Sequence, residues 1–406
     1  MKKLILLVAL VALWSCSDDT YTEEVVIATP ITMSYADFRA SVGPGPVQQI
    51  SESGKIYAYQ TYVLVNDKYK GIHIIDNSDP ANPSKIGFLN IPGNVDMAVK
   101  NDILYADSWL DLFVFDFSDP SNVTLINRLE EVLPKRFPDF ETTIFNVDYS
   151  DFDNESEVVV GWEYDVELRT FETCDDCVFE DAVSSDSGNS VGTGGSLARF
   201  NIVNDHLYIV DQFQIYSFDI NDLNNPVLRG QTNASAWVET IFSDGDYLYI
   251  GTPGGMQIYG LDTPGDPNFL SEVTHITGCD PVVVQGDFAY VTVRGGNLCG
   301  QPESLLDVVD ISDRSNPVVI KSEVMNEPYG LGVKGDRLYV SDGSFGLAVY
   351  DITDPASANR IITYNDLEIF DVIPLPQWMI MIGNNTMYNY EYTDEGIGLI
   401  ASFSLN

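Results

Sequence analysis

The sequence predicts an all-β protein made of seven repeated four-stranded units, arranged as the blades of one β-propeller. From about Lys55 onward, short runs rich in Val, Ile, Tyr, Phe and Leu follow one another, as expected for strands. Turn signals separate the runs, and no amphipathic helix of ten or more residues is evident. The pattern returns every ~40–50 residues, a period typical of propeller blades. Six or eight blades are the alternatives to seven.

The best-defined unit comprises residues 329–364. Its expected strands are Gly330–Val333, Arg337–Ser341, Gly346–Ile352 and Arg360–Tyr364. A Gly-Asp or Asn-Asp step joins strands one and two here and at 101–102, 204–205, 245–246 and 286–287. Glycine and asparagine tolerate the positive φ that tight hairpins require, so each step predicts a hairpin turn. The units are expected at 52–92, 93–133, 196–235, 236–276, 277–325, 326–368 and 369–406.

Acidic residues and prolines mark the end of strand three in six units. The pattern recurs around Asp76, Asp116, Asp219, Asp262, Asp310 and Asp351. Such turns invite interpretation as calcium loops, because carboxylates bind hard cations. The structural interpretation is favoured, because Asp and Ser side chains bond nearby backbone N–H groups and Pro ends the strand.

Three segments carry a family resemblance: Ile72–Asp76, Asp307–Asp313 and Leu347–Ile352. Each resembles the core of the LVIVD repeat, a β-propeller repeat of bacterial and archaeal surface or secreted proteins. The resemblance implies the propeller fold for most of residues 52–406. It implies no catalytic residue, because the family has no single established activity.

The first residues predict export. Lys2 and Lys3 precede an apolar run, Leu4–Trp14, that is too short to span a bilayer and is typical of a signal peptide. The following Cys16 completes a resemblance to a bacterial lipobox, and Asp18-Asp19 resembles the surface-export signal of Bacteroidota lipoproteins. An ordinary secretory signal is the alternative.

The predicted export signal and the repeats divide the chain into three parts. Residues 1–15 are expected to be the signal peptide, 16–30 a flexible tether that starts at the lipidated Cys16, and 31–406 the propeller domain. Residues 31–42 begin like a strand and are expected to add an outer strand that helps to close the ring. The expected location is the outer membrane, anchored by lipid and exposed at the surface, with a periplasm-facing anchor as the alternative.

Charge limits the partners. The chain has 61 Asp and Glu against 20 Lys and Arg, a formal net charge of −41. Such a surface repels nucleic acid and anionic lipid, so we expect no nucleic-acid partner and membrane contact only through the lipid anchor. The charge is compatible with solubility, with a cationic ligand and with a monomer.

The long spacing between Asp116 and Asp219 indicates an insertion at about 134–195. It contains a possible hairpin at Val158–Glu167, then Cys174 and Cys177, then a Ser/Gly-rich run. A local disulfide is the favoured interpretation of the two cysteines, with a metal or redox site as alternatives, because acidic neighbours disfavour a reactive thiolate.

Propeller topology places strand-one starts, turns between strands two and three, and connections between blades on one face, here called the top face. The insertion lies there, as do Cys279 and Cys299, while the Asp-Pro turns lie at the opposite face. In an oxidising compartment Cys279 and Cys299 are expected to form a disulfide, with free thiols as the alternative.

Aligned strand-one starts give one residue per blade around the mouth of the central channel. These residues are Lys55, Asp96, Arg199, Glu239, Asp280, Tyr329 and Asp371. One interpretation is a polar, water-filled channel with compensating charges. The other is a ligand site, or a divalent-cation site, Ca²⁺ for example, with the carboxylates Asp96, Glu239, Asp280 and Asp371 as ligands. Asp107, Asp211, Arg294, Asp342, Trp109 and Trp237 are expected nearby.

The functional expectation is a binding module that engages protein or glycan through the top face. No nucleophile–base motif is evident, and the three histidines are not expected to converge, so no catalytic residue is assigned. The alternative is a hydrolase or lyase with a divalent cation at the channel mouth and Arg199 as an oxyanion partner. No other cofactor is expected.

Overall fold

A computed structural model describes residues 20–172, 197–274, 281–295, 303–383, 385–394 and 396–406. All five cysteines, residues 1–15, which the sequence predicts to be a signal peptide, and Asp280 lie outside these residues. Lipidation at Cys16 and the two expected disulfides therefore remain predictions.

The described chain is almost entirely β-structure. It begins with β1 (Thr20–Ser34), α1 (Tyr35–Ser41) and β2 (Gly43–Gly45). Sheet one contains β3 (Ser53–Tyr59), β4 (Tyr62–Asp67), β5 (Gly71–Asp76) and β6 (Ser84–Asn90), and sheet two contains β7 (Met97–Lys100), β8 (Ile103–Ser108), β9 (Asp111–Asp116) and β10 (Thr124–Leu129). The insertion provides β11 (Asn146–Val147) and β12 (Glu157–Glu172).

Five further sheets follow. Sheet three contains β13 (Phe200–Val203), β14 (His206–Asp211), β15 (Gln214–Asp219) and β16 (Val227–Asn233), and sheet four contains β17 (Thr240–Asp244), β18 (Tyr247–Thr252), β19 (Gly255–Gly260) and β20 (Asn268–Thr274). Sheet five contains β21 (Val282–Gln285), β22 (Phe288–Val293), β23 (Ser304–Asp310) and β24 (Val318–Met325). Sheet six contains β25 (Leu331–Lys334), β26 (Arg337–Ser341), β27 (Leu347–Asp351) and β28 (Asn359–Tyr364). A 3₁₀ turn at Pro355–Ser357 joins its last two strands. Sheet seven contains β29 (Asp371–Pro374), β30 (Trp378–Gly383), β31 (Thr386–Thr393) and β32 (Gly396–Ser404).

The first strand of each sheet is the innermost. In chain order, the first strands of successive sheets contact one another from β3 through β7, β13, β17, β21 and β25 to β29. The second and third strands are buried on both faces, whereas an outer strand such as β16 alternates between exposed and half-buried residues. This radial order is that of a β-propeller, as the sequence predicts.

The apolar core lies between neighbouring sheets and also joins the last sheet to the first. Ile56 and Val63 of sheet one pack with Ile380 and Met387 of sheet seven. The backbone N–H of Ile50 donates to the carbonyl of Leu405 at 3.0 Å. The ring is therefore closed by packing and hydrogen bonds across this junction.

The aspartates after strand three are structural, as the sequence analysis favours. Asp76, Asp116, Asp219, Asp310 and Asp351 each accept a 2.9 Å hydrogen bond from the backbone N–H two residues later. In sheet four the turn around Asp262 also follows strand three, but Gly260 occupies the position of the capping aspartate, opposite Asn268. Asp262 lies two residues further along the turn.

Two expectations for the segments outside the sheets are corrected. Residues 20–30 are part of β1 rather than a flexible tether, because β1 pairs with β12 from Thr20–Glu172 to Ser34–Glu157. The same pairing replaces the expected hairpin at Val158–Glu167 with one continuous strand. We call β1 and β12 together the ribbon.

The extra outer strand comes from β2, not from residues 31–42, and it pairs with β6 to give sheet one a fifth strand. Residues 31–42 instead complete β1 and form α1, whose Phe38 is fully buried against sheet two. Within the described part of the chain, no helix has the length and apolar character needed to cross a membrane.

Candidate functional site at the top face

The insertion begins with a segment that crosses the tops of three sheets; we call residues 135–140 the strap. Arg136 donates to Asp107 of sheet two at 2.8 Å and to Asp211 of sheet three at 2.7 Å. Asp139 pairs with Lys68 of sheet one at 2.8 Å. Opposite charges at 2.7–2.8 Å therefore hold the strap against the channel mouth on this side.

The ribbon supports the strap from outside. The indole N–H of Trp162, on β12, donates to the carbonyl of Pro138 at 2.8 Å, and the ring of Trp162 lies 4.6 Å from that of Phe140. The backbone N–H of Glu141 donates to the Tyr164 hydroxyl at 2.8 Å. Strap and ribbon thus form one packed unit.

Asp96 joins the inner strands of sheets one, two and three. Its carboxylate accepts from the Lys55 ammonium at 2.6 Å and from the backbone N–H groups of Met97, Arg199 and Phe200 at 2.7, 2.5 and 2.9 Å. Lys55 and Asp96 are both buried. On this side of the channel, the predicted ring residues bond to one another.

The network extends from Arg199 to the strap. The Arg199 guanidinium donates to Asp211 at 2.6 Å, and Asp211 also accepts from Arg136. Six ionisable side chains are thereby connected: Lys55, Asp96, Arg199, Asp211, Arg136 and Asp107. Three are basic and three acidic, so the cluster is formally neutral.

Burial and neighbouring charges shift the pKa values in this network. Burial lowers the pKa of Lys55 to about 8, although Asp96 acts in the opposite direction. Burial also raises the pKa of Asp107 despite the nearby Arg136 guanidinium. Burial and Arg136 together lower the pKa of Arg199, so two like charges stand close together here.

Three aspartates at the end of strand two have a structural role that the sequence analysis missed. Asp67, Asp107 and Asp342 each accept hydrogen bonds from two consecutive backbone N–H groups just before strand one, at distances between 2.7 and 3.2 Å. The signal was present, because an aspartate recurs at this point of several units. Asp107 and Asp342 therefore position the chain at the mouth.

The remaining predicted ring residues lie at the starts of their strands. Glu239 directly precedes β17, Tyr329 lies two residues before β25, and Asp371 is the first residue of β29. Arg294 stacks over the Tyr329 ring, with its guanidinium carbon 4.5 Å from the centroid. Asp280 lies outside the described residues.

The arrangement does not favour a cation at Asp96. Among the residues that the structure describes, no group of three or more His, Cys, Asp or Glu side chains is placed to hold a metal ion. Asp96 is already bonded to an ammonium and three N–H groups, so it is a poor ligand. Asp96, Glu239 and Asp371 alone do not form a cation site. The fourth expected ligand, Asp280, lies outside the described residues, so a site that includes it stays a prediction.

Exposed aromatic rings mark the outer part of the top face. Phe213, in the turn between β14 and β15, and Trp237, in the connection to β17, are each 47% exposed and meet edge-to-face at 5.6 Å. Phe345, in the turn between β26 and β27, is 45% exposed. Trp109 is instead buried and stacks on Tyr69 at 5.6 Å, so it is not available for contact.

The sequence analysis identified Trp237 but missed Phe213 and Phe345. Each of these could have been found as an aromatic residue in the turn between the second and third strands of its sheet. It also missed Arg136, Lys68 and Asp139. No local signal marked these three, because Arg136 and Asp139 lie in the strap, which has no regular secondary structure, and because their partners, Lys68 among them, are distant in sequence.

Comparison with known families finds LVIVD repeats at residues 44–90, 94–130, 279–324 and 330–366. The chain contains LVIVD repeats. The matched segments coincide with sheets one, two, five and six. The LVIVD repeats therefore include the turns that Asp76, Asp116, Asp310 and Asp351 cap.

Solved structures agree in fold. A protein from Lactobacillus plantarum superposes with a TM-score of 0.58 at 10% identity, covering 86% of this chain and 94% of that one. The computationally designed protein Ika8 gives 0.52 at 8% identity, covering 88% and 90%, and Hsv2 of Kluyveromyces lactis gives 0.50 at 10% identity, covering 87% and 99%. Among curated proteins the comparison finds no match. At these identities the similarity concerns the fold alone.

Proposed function

We propose that the chain is a cell-surface binding module that engages a protein or glycan through its top face. The repeat fold is typical of interaction modules. The observation that carries the proposal is where the exposed aromatic rings lie. Of the described residues, most exposed aromatic side chains are in top-face turns or in the insertion: Phe137, Phe145, Tyr149, Phe213, Trp237 and Phe345.

Aromatic side chains suit both kinds of partner. They provide large, rigid contact area at low entropic cost, and they are enriched at the energetically dominant positions of protein interfaces. Phe213 and Trp237 are mutually oriented by their edge-to-face contact, so a partner meets a preformed surface rather than two independent side chains.

The test compares two variants in pull-downs from surface proteins and on a glycan array. Replacing both Phe213 and Trp237 by Ala is expected to abolish or strongly weaken capture, because both rings would contact the partner. Phe269→Ala is the matched control: Phe269 is 52% exposed on the outer strand β20. If the double variant captures as well as the control, the top-face proposal is wrong.

We also propose that a lipid on Cys16 anchors the protein at the outer membrane. The support is the sequence Leu13-Trp14-Ser15-Cys16 after a short apolar run. Metabolic labelling with a fatty-acid analogue is expected to mark the wild-type chain and not Cys16→Ser. Accessibility to added protease on intact cells distinguishes a surface-exposed anchor from a periplasm-facing one.

A further inference from the structure

We propose that Arg136 and Arg199, whose guanidinium groups both bond Asp211 where the strap crosses sheets two and three, bind a small organic carboxylate. This site is separate from the aromatic surface of the proposed function and uses different residues. Its two arginines keep hydrogen-bond donors that the neighbouring carboxylates do not satisfy.

The two guanidinium groups have unused donors. Arg136 uses Nε for Asp211 and Nη1 for Asp107, but its Nη2 is buried without a partner among the described residues. Arg199 uses Nη2 for Asp211, and its Nε is buried without a partner in the same sense. A guanidinium has five N–H donors and no acceptor, so both groups need more acceptors than they have here.

The neighbouring carboxylates are already engaged. Asp107 accepts from Arg136 through one oxygen, and from the Asn94 side chain and the backbone of Val95 and Asp96 through the other. Asp96 accepts from Lys55 and three backbone groups. A buried donor left unpaired is costly, and more so when it belongs to a charged group. An additional acceptor is therefore favoured at this position.

An ionised carboxylate matches these requirements. It only accepts hydrogen bonds, and its two oxygens fit the fork of a guanidinium. The Arg199 side chain is 18% exposed and that of Arg136 10% exposed, so the site is enclosed yet reachable at Arg199. A carboxylate brings a single negative charge, whereas a phosphate dianion brings two to a chain with a net charge of −41.

Calorimetric titration of the full chain tests the proposal. Acetate is the simplest probe. Glucuronate against glucose and N-acetylglycine against its amide test whether the carboxylate is required, and the tighter binder of the two acids shows whether the ligand is a sugar acid or another small acid. We expect the three carboxylates to bind and the neutral analogues not to bind. Arg199→Gln should weaken binding roughly tenfold to hundredfold, the effect of one or two charge-assisted hydrogen bonds.

The matched control is Arg360→Gln. Arg360 lies on the outer strand β28 and pairs with Glu323 at 3.1 Å, so its replacement should leave carboxylate binding unchanged. Thermal melting checks that both variants fold. Should Arg199→Gln not fold, Arg199→Lys keeps the charge, loses the planar fork and should still weaken binding.

The proposal would be overturned if the wild type bound no carboxylate, or if Arg199→Gln and Arg360→Gln bound it equally well. Ordered water would then be the acceptor for the unused N–H groups of the two arginines. The double alanine variant of Phe213 and Trp237 should retain carboxylate binding. Failure of the top-face proposal is thus distinguishable from failure of this one.

Discussion

Two lysine–aspartate pairs of similar length differ in burial. Lys55–Asp96 is 2.6 Å long with side chains 5% and 2% exposed, whereas Lys100–Asp205 is 2.8 Å long with side chains 21% and 57% exposed. Removing one partner of a buried pair leaves the other charged and unsatisfied, while an exposed pair is weakened by solvent and salt. The two pairs should therefore respond very differently to the same substitution.

We predict that Asp96→Ala lowers the free energy of unfolding by about 3–5 kcal/mol, because Lys55 and three backbone N–H groups lose their acceptor. The control Asp205→Ala should cost about 0–1 kcal/mol. Urea denaturation measures both values. A similar small loss in the two variants would contradict the role of Asp96 as a junction between sheets one, two and three.

A second residue-scale prediction concerns pH. Burial alone would raise the pKa of Asp67, but hydrogen bonds from His73, Ser51 and Glu52 outweigh it and hold the pKa below 3.8. The unfolded chain then binds the proton more tightly than the folded chain. The stabilisation that the Asp67 carboxylate provides is therefore fully present above the pKa that Asp67 has in the unfolded chain. It is lost as the pH falls through the lower pKa that Asp67 has in the folded chain.

Above about pH 4 the wild type should be more stable than Asp67→Asn. Below this range the difference should shrink. Thermal unfolding across pH measures it, with Asp336→Asn, in an exposed turn, as the control. A difference that grows as the pH falls below about 4 would show that folding raises rather than lowers the pKa of Asp67.

At the scale of elements, the ribbon has two distinct parts. Near Ser34 its side chains are buried: Val158 and Val159 are fully covered. Further out on β12, Val166 and Leu168 are 65% and 72% exposed. The inner part packs against the propeller. The outer part of β12 has an exposed face, whereas β1 beside it is covered at Val25 and Ile27, which are 6% and 8% exposed.

We predict that Val159→Ala destabilises the ribbon by about 2 kcal/mol, because it leaves a cavity in a packed region. Val166→Ala, on the same strand, should have little effect. Hydrogen exchange of the β1 amides is the measurement, and faster exchange is expected only for Val159→Ala. Equal exchange in the two variants would mean that packing does not hold the ribbon in place.

How far sequence reasoning reached depends on the element. Strands separated by tight turns were predictable, because alternation and Gly-Asp or Asn-Asp steps are local signals. The ribbon was not, because β1 and β12 are separated by more than a hundred residues and Thr20–Pro30 reads as polar in its first half. In sheet four the turn sequence led to Asp262, although the register places Gly260 at the equivalent position.

The candidate site shows the same limit. Alignment of strand starts brought Lys55, Asp96 and Arg199 to one end of the channel. It did not give the bond between Lys55 and Asp96, nor the strap arginine that completes the network. Which base meets which acid depends on side-chain direction across three sheets, and Arg136 is 75 residues from Asp211 in sequence.

At the scale of the whole molecule, closure of the ring depends on the junction of sheets seven and one. Asn77 and Asn389 are buried there and exchange two hydrogen bonds of 3.1 and 2.7 Å. The Asn389 amide also donates to the carbonyl of Pro80 at 2.9 Å. Both side chains are therefore well satisfied.

We predict that Asn389→Ala lowers the free energy of unfolding by about 2–3 kcal/mol, because it leaves the buried Asn77 amide and the Pro80 carbonyl without partners. Gln285→Ala removes an exposed 3.1 Å bond between sheets five and six and should have a much smaller effect. Denaturant unfolding compares the two. An equal effect would show that the closing junction is no more sensitive than the others.

The ribbon also has a mechanical consequence. A fifteen-residue strand spans about 50 Å, and pairing with β12 along its length stiffens it. Its inner end is continuous with α1, where Arg39 forms two hydrogen bonds with Asp111. Whatever is joined to the chain before Thr20 is thus connected to the propeller through a paired, stiffened strand rather than through a flexible linker. The paired strand would therefore restrict the tilt of the propeller relative to Thr20.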